Sequence, residues 1–379
     1  MSAIRYYTSG VRTVQQEQSQ SIKLFMYNFR VGVLGATGAV GQKFIRLLEN
    51  HPWFTVHAVG ASERSAGKLY RDAIQWNEPT PLPEAVAKQK VLSCEPDVFN
   101  GVDFVFSGLD AAFAASIERS FAESGIPVIS NAKNYRMHEQ VPLLVPEVNP
   151  EHITLIDHQT FTSDGSGWIV TNPNCVVIPL VMSLKPLHDA YGIASALVTS
   201  MQAISGAGYP GVPSMDILGN VIPFIGGEED KIETEPHKLL GTINNDRIEF
   251  ANFPIQATAT RVPVRNGHLL SVTIALHEGP EDISEAEELL RTWESPLKGL
   301  NLPTAPDKPL FLHDEERYPQ PLLHADAERG MRAAIGRVRK ASVLDLSYVA
   351  MAHNTIRGAA GGAILNAELL ASKGYLKES

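Results

Sequence analysis

The stretch from Arg30 to Leu48 constrains the fold of this chain more than any other. Val31, Val33 and Leu34 form a short apolar run, Gly35-Ala36-Thr37-Gly38-Ala39-Val40-Gly41 follows, and Phe44, Ile45, Leu47 and Leu48 then recur at helical spacing. This reads as strand, glycine turn and helix, the opening of a βαβ unit whose strand is buried in a parallel sheet. Glycines at 35, 38 and 41 let the turn bend sharply and let backbone N–H groups at the helix start approach a pyrophosphate. The spacing is G-x-x-G-x-x-G, not the dinucleotide G-x-G-x-x-G, so an ordinary glycine-rich turn is the competing reading. The flanking strand and helix favour a dinucleotide site.

The same grammar repeats downstream. A second strand, 54–59, ends at Gly60-Ala61-Ser62-Glu63-Arg64-Ser65-Ala66-Gly67-Lys68, where such folds read the adenosine ribose. Ser62, Arg64, Ser65 and Lys68 could donate to a 2′-phosphate, which favours NADP; Glu63, as a 2′-hydroxyl acceptor, argues for NAD. Residues 76–97, rich in proline, read as a loop or edge excursion. A strand over 102–106 leads through Ser107-Gly108-Leu109 to Asp110, the expected N-cap of a helix carrying Phe113, Ile117 and Phe121 and ended by Gly125. Another short strand, 127–129, precedes Ser130-Asn131-Ala132-Lys133-Asn134-Tyr135-Arg136. Strand ends line the ligand crevice of a doubly wound sheet, so Ser107, Gly108, Asn131 and Arg136 are candidate contacts.

A second centre is Trp168-Ile169-Val170-Thr171-Asn172-Pro173-Asn174-Cys175-Val176-Val177-Ile178-Pro179. A strand ending near Thr171, a polar turn and a helix put a cysteine at a corner. With Asn174 as N-cap, Cys175 falls in the first helical turn, where unpaired N–H groups and the dipole favour a thiolate nucleophile. An inert buried cysteine is the alternative, and Pro179 argues for a start displaced by a residue or two. A strand over 196–204 carries Gln202 near its end and runs into the glycine loop 205–211. The charges of 228–233 read by default as a solvated helix face, although Glu228 and Lys231, three apart, share a face and could meet one zwitterionic substrate. Residues 258–276 read as strand, turn, strand, with His268 opening the second strand; a lone histidine is structural or superficial by default. A capping box of Ser284 and Glu287 starts a helix to about 297, and 331–338 and 344–350 read as paired strands beyond a proline-rich connection. The small residues of 353–362 lead into a final helix expected to return to the first domain.

Composition sets the outer limits. A chain of 379 residues with 44% hydrophobic content is long enough for two domains. A net charge of −10 implies no general attraction to nucleic acid or anionic membrane, so local Arg and Lys groups must hold any anionic substrate. Apolar runs are too short and too proline-broken to span a bilayer, and two cysteines, Cys94 and Cys175, argue for a reducing, cytoplasmic setting without a disulfide framework. No metal-ligating cluster is expected. Residues 1–28 read as a loose extension whose Arg5, Arg12 and Lys23 faintly suggest organelle targeting; no secretory signal is present.

A dinucleotide fold, a cornered cysteine and a separate histidine suggest aldehyde oxidation through a thiohemiacetal and a thioester, the latter cleaved by water or by phosphate. Ordered motifs carry the reading further: G-A-T-G-A-V-G at 35–41, S-N-A-K-N-Y-R at 130–136, V-P-E-V-N at 145–149, T-N-P-N-C at 171–175, Q-A-I-S-G-A-G at 202–208, G-G-E-E-D-K at 226–231, R-V-P-V-R-N-G-H at 261–268 and H-N-T-I-R-G-A-A-G at 353–361. From about residue 30 onward the chain resembles the aspartate-semialdehyde dehydrogenase family, in its fungal and archaeal branch. The resemblance implies an α/β fold: a Rossmann-type NADP-binding domain over 29–172, an α+β catalytic and dimerisation domain over 173–354, and a C-terminal helix, 355–379, returning to the first.

It also implies the reversible, NADP-dependent, phosphate-requiring interconversion of L-aspartate 4-semialdehyde and L-4-aspartyl phosphate by a homodimer or homotetramer, a step towards lysine, methionine, threonine and isoleucine. By resemblance Cys175 is the thioester nucleophile, His268 the general acid/base and Gln202 the residue that orients the substrate. Arg261 clamps the α-carboxylate, Glu228 holds the amine, and Arg136, Asn174 and Lys231 form the phosphate site. Cofactor contacts fall on Gly35, Thr37, Gly38, Ala39, Val40, Ser62, Arg64, Ser65, Ser107, Gly108, Ser205, Gly206 and Asn354. The rival enzyme is N-acetyl-γ-glutamyl-phosphate reductase, and the rival class a catalytically dead, cofactor-binding regulator.

Overall fold

The computed structural model describes residues 27–378; the readings made for residues 1–26, the targeting-like cations included, lie outside the described residues. Six strands, β1 (Phe29–Leu34), β2 (Phe54–Ala61), β3 (Val91–Ser93), β4 (Phe104–Ser107), β5 (Val128–Ser130) and β6 (Ile169–Thr171), form a sheet in the order β3-β2-β1-β4-β5-β6. Every pair in it is parallel. The order reverses between β1 and β4, which places a crevice at their carboxyl ends. Helix α1 (Ala39–Leu48) and helix α2 (Ala111–Glu123) follow β1 and β4.

Sequence explains much of this locally. Val31, Val33 and Leu34 are fully buried, because helices cover both faces of the sheet. Gly35 adopts φ +70°, and a Cβ on Gly41 would lie 2.3 Å from the Gly35 carbonyl oxygen, so the turn admits α1 at this distance only with glycine at 41. Asp110 caps α2 by accepting from Ala112 N at 2.8 Å. Phe121 is buried in that helix, but Phe113 is 66% exposed, so it does not belong to the apolar stripe assigned to it. The excursion 76–97 is not all loop, since it contributes the edge strand β3 and the short helix Glu84–Ala87.

Helix α3 (Val177–Tyr191) runs from the first sheet to the second and is buried along most of its length. The second sheet is mixed. β7 (Ile193–Gln202), the small hairpin β8 (Thr242–Asn244) and β9 (Arg247–Glu249), β10 (Ile255–Arg261), β11 (His268–Leu276), β12 (Leu310–His313), β13 (Ala333–Lys340) and β14 (Leu346–Ala352) follow in the chain. Six of them order as β10-β7-β11-β14-β13-β12. β10 and β11 are strands joined by a turn, as expected, yet they do not pair: β7 lies between them, parallel to β10 and antiparallel to β11. β13 and β14 do pair, antiparallel. Helix α4 (Glu228–Leu239) and helix α5 (Ile283–Thr292) flank this sheet. Asp282, not Ser284, caps α5: its carboxylate accepts from both Ser284 N and Ser284 Oγ, and the helix ends at Thr292.

The last helix, α5's successor α6 (Gly361–Ser372), packs its Ile364, Leu365, Leu369 and Leu370 into the core of the first sheet with Phe44, Phe54 and Phe106. It is buried all round, its polar Asn366 and Glu368 included, and Glu368 finds partners in Thr304 N and His51 Nε2. Just before it, a π-helical turn (Ile356–Ala360) places Arg357 against Glu147, Nη2 to Oε2 at 2.6 Å, with both side chains essentially unexposed. Removing one partner leaves an uncompensated charge. We therefore expect Glu147→Ala to cost about 3–5 kcal/mol in urea unfolding and pairing it with Arg357→Met to recover most of that loss.

Candidate active site

The site forms where the carboxyl ends of the first sheet meet those of β7 and β10. β6 ends at Thr171 and α3 begins at Val177. Residues 172–176 between them turn the corner. Asn174 holds it at three points: its backbone N–H donates to Glu235 Oε2 at 2.7 Å, its Nδ2 donates to both oxygens of Glu228, and its Oδ1 accepts from Val176 N at 2.9 Å. Cys175 Sγ then lies 3.2 Å from His268 Nε2. His268, the first residue of β11, is fully buried, and its Nδ1 accepts from Ala203 N at 3.0 Å. An amide can only donate, so the neutral imidazole carries its proton on Nε2, facing the sulfur.

Around this pair stand the other polar groups. Gln202 at the end of β7 donates to Glu228 Oε2 at 3.3 Å, and Lys231 Nζ bonds Glu228 Oε1. Arg261 ends β10 and anchors its Nη1 on the Ala203 carbonyl at 2.8 Å. Asn354 accepts from Gly267 N and donates to Ser205 Oγ at 2.8 Å. A cleft of about 400 Å³ joins these groups to the first sheet, with Ala39, Val40, Asn131 and Arg136 on one wall and Cys175, Gln202, Ser205, Gly206, Glu228, Arg261 and Asn354 on the other.

Known proteins share this architecture and its sequence. Residues 30–156 match the family model described as semialdehyde dehydrogenase, NAD binding domain, and residues 184–357 that described as semialdehyde dehydrogenase, dimerisation domain. An aspartate-semialdehyde dehydrogenase of Archaeoglobus fulgidus is 49% identical over 90% of this chain and 98% of its own length; that of Aspergillus fumigatus is 46% identical over 92% and 98%. The chain belongs to the aspartate-semialdehyde dehydrogenase family. A crystal structure of the Candida albicans enzyme with NADP superposes with a TM-score of 0.86 at 42% identity, covering 92% of this chain and all of that one.

Within this family member, the residues singled out from sequence do not all fall in one place. Cys175, His268, Gln202, Arg261, Glu228, Asn174 and Arg136 converge on the cleft, with Ser205, Gly206 and Asn354 beside them. Lys231 reaches it through Glu228. Ser62 and Arg64 stand exposed beyond the end of β2, with Ser65 half-buried next to them, away from the cleft lining. Gly35, Thr37, Gly38, Ala39 and Val40 form the turn and first residues of α1, whose leading N–H groups lack intrahelical acceptors. That turn, its missing Cβ at 41 and the exposed Arg64 fit a phosphorylated dinucleotide. Ser107 is different: it is fully buried, its hydroxyl donates to Glu118 and its carbonyl accepts from Asn131 N, while Gly108 packs beneath Val40. Among the described residues no group of three or more His, Cys, Asp or Glu is placed to hold a metal ion.

The sequence reading missed several residues. Glu235 and Lys238, just beyond the charges of 228–233, drew no reading, yet they are 2% and 0% exposed, and Glu228 within that run is 9%. The series Glu228, Lys231, Glu235, Lys238, at successive spacings of three, four and three, was the signal that one stripe faces inward. Gly358 was noted only as a small residue; a Cβ there would lie 2.8 Å from Cys175 Cβ, so the π-turn backs the nucleophile directly.

One expectation needs correction. Cys175 does not lie within the regular part of α3, which begins at Val177 because Pro179 has no N–H for the Cys175 carbonyl, but Asn174 caps the turn that carries it, as expected: its Oδ1 accepts from Val176 N and its carbonyl from Val177 N and Ile178 N. Nor is a resting thiolate favoured: burial and then the Glu228 carboxylate raise the Cys175 pKa, outweighing Arg136, Arg261 and Lys231. Burial, with Arg261 and His353, lowers that of His268. Glu228 stays ionised, since its donors Lys231, Asn174 and Gln202 overcome the burial that would raise it. The pair therefore rests as thiol and neutral imidazole, and raising pH increases the thiolate fraction with no opposing loss from His268. Inactivation of the free enzyme by iodoacetamide should accelerate about tenfold per unit from about pH 6 to about pH 9. A plateau in that rate below about pH 8 would contradict it.

Proposed function

We propose that this chain performs the activity for which its family is named, the reversible NADP-dependent and phosphate-dependent interconversion of L-aspartate 4-semialdehyde and L-4-aspartyl phosphate, with Cys175 as nucleophile. The observation that carries the assignment is the Cys175 Sγ–His268 Nε2 contact of 3.2 Å at the mouth of a cleft that also presents Arg261 and Glu228. Arg261, anchored by one nitrogen, offers the rest of its fork to the substrate α-carboxylate. Glu228 meets the free amine, displacing the Lys231 or Asn174 contacts it now makes. Gln202 orients the carbonyl, and Arg136, Asn174 and Lys231 hold the phosphate.

In the oxidative direction the Cys175 thiol releases its proton to solvent, the thiolate adds to the aldehyde carbon, and the oxyanion so formed accepts a hydrogen bond from His268 Nε2–H. NADP, when bound along the α1 turn with contacts to Ser205, Gly206 and Asn354, supplies the hydride acceptor. Loss of hydride from the adduct leaves a thioester on Cys175. Phosphate attacks its carbonyl, the carbon–sulfur bond breaks, and the thiol takes back a proton as the acyl phosphate leaves. His268 stays neutral through these steps, because the Ala203 N–H occupies Nδ1 and leaves Nε2–H as the donor facing the reacting atoms.

Glu228 also argues against N-acetyl-γ-glutamyl-phosphate reductase, whose acetylated substrate has no ammonium for a buried carboxylate to meet. A dead regulator would not need the Cys175–His268 contact. We further assign residues 29–172 with the C-terminal 355–379 to the cofactor domain and 173–354 to the catalytic and dimerisation domain, in a cytoplasmic homodimer or homotetramer. An uncovered sheet face with Leu197, Thr199, Gln256, Thr258 and Ser271 exposed, next to exposed Met215, Leu218, Val221 and Phe224, supports association through the second sheet. Among the described residues no helix is long and apolar enough to cross a membrane.

The test is NADPH formation from L-aspartate 4-semialdehyde and NADP with phosphate present or omitted: steady turnover should require phosphate. Cys175→Ala should abolish turnover and leave NADP binding intact; parallel loss of both would refute the nucleophile. His268→Gln should lower kcat by roughly 10²–10⁴-fold.

A further inference from the structure

We propose that Glu235 is a positioning residue for the phosphate subsite, which ties Arg136 to the Cys175 corner; the inference rests on the reading of Arg136 as a phosphate ligand. Helix α4 presents Glu228, Lys231, Glu235 and Lys238 at spacings of three, four and three, one continuous stripe. Its first two members serve the substrate end of the cleft. Glu235 joins two other elements: its Oε1 accepts from Arg136 Nη1 at 2.8 Å, and its Oε2 accepts from Asn174 N at 2.7 Å. One carboxylate thus connects the segment after β5 with the segment after β6.

Lys238, a turn further on, fixes the backbone that bears the arginine. Its ammonium donates to the carbonyls of Arg136, His138 and Val141 at 2.7–2.8 Å. Arg136 is held on its other side too, with Nη2 donating to the Asn131 carbonyl at 2.9 Å, and its Nε has no partner among the described residues. A buried ion pair of this kind adds little net stability compared with an apolar pair of similar volume. What it does add is a guanidinium whose place relative to Cys175 is set before an anion arrives, so little side-chain freedom is lost on binding.

The consequence falls on one half-reaction. Addition of Cys175 to the aldehyde and departure of hydride use His268, Arg261 and Glu228. Attack of phosphate on the thioester uses Arg136. In Glu235→Gln the amide oxygen can still accept from Asn174 N, but its NH₂ faces the Arg136 Nη1 donor, so the arginine loses its register while the corner keeps its own.

Phosphate and aldehyde kinetics of Glu235→Gln, Arg136→Met and the double variant, in the oxidative direction, test this. Glu235→Gln should raise KM for phosphate about tenfold, the effect of one charge-assisted hydrogen bond, and leave KM for the aldehyde within about twofold. Its single-turnover NADPH burst without phosphate should keep full amplitude. The double variant should be no worse for phosphate than Arg136→Met, because both act through the same group. Parallel rises in both KM values, a lost burst or additive effects would overturn the inference. Glu235→Asp keeps the charge with a shorter reach and should give a smaller rise in the same constant; no rise there overturns the inference even if the Gln variant does not fold. If Arg136→Met leaves the phosphate KM unchanged, the reading of Arg136 is what fails. If it raises that constant and Glu235→Gln does not, the positioning role fails alone.

Discussion

Everything in this site depends on a sulfur and an imidazole nitrogen, 93 residues apart in the chain, meeting at 3.2 Å. Neither residue can reach the other through local structure. Cys175 is delivered by the corner after β6, and His268 by the start of β11, so the contact exists only where the two sheets are docked through α3. The docking is correspondingly rigid: α3 is buried along most of its length, the π-turn at 356–360 backs the cysteine, and α6 returns into the first core. A glycine at 358 is required because that turn approaches Cys175 closely.

Charge within the site is arranged against the same constraint. Burial alone makes both a thiolate and an imidazolium costly, and the Ala203 amide adds a second reason for His268 to stay neutral. Reactivity is therefore held back until substrate groups enter. Arg261 and Arg136 are each anchored through one nitrogen or more on carbonyls or carboxylates, and Glu228 collects Lys231, Asn174 and Gln202. These are buried polar groups with partners, which is what permits them inside the protein.

Much of the fold was legible because periodicity and turn chemistry are local. The strand–glycine turn–helix at 30–48, the Asp110 cap and the paired strands near the C-terminus follow from neighbours in sequence, and each is present. The failures were also physical. Asp282 outcompeted Ser284 because its carboxylate, two positions earlier, accepts from both the Ser284 amide and the Ser284 hydroxyl. The two strands of 258–276 are present, but which strand each pairs with was not legible: β7, from an earlier part of the chain, lies between them. The charges of 228–233 read by default as solvent-facing, and Glu235 and Lys238 drew no reading, because hydrophobicity alone cannot show that a lysine will find three carbonyls, or a glutamate an arginine and an amide, inside the protein.

The sequence by itself determined the α/β order of elements, the two glycine-bearing turns, the cysteine at a corner and the types of charged residue available to an anionic, amine-bearing substrate. Tertiary structure alone decided which of those charges face inward and what ionisation they hold. The physical reason is that hydrogen-bond geometry and burial, not residue type, set whether Cys175 is a thiol, which nitrogen of His268 carries the proton and where Arg136 is held. All three depend on atoms contributed by segments that only folding brings together.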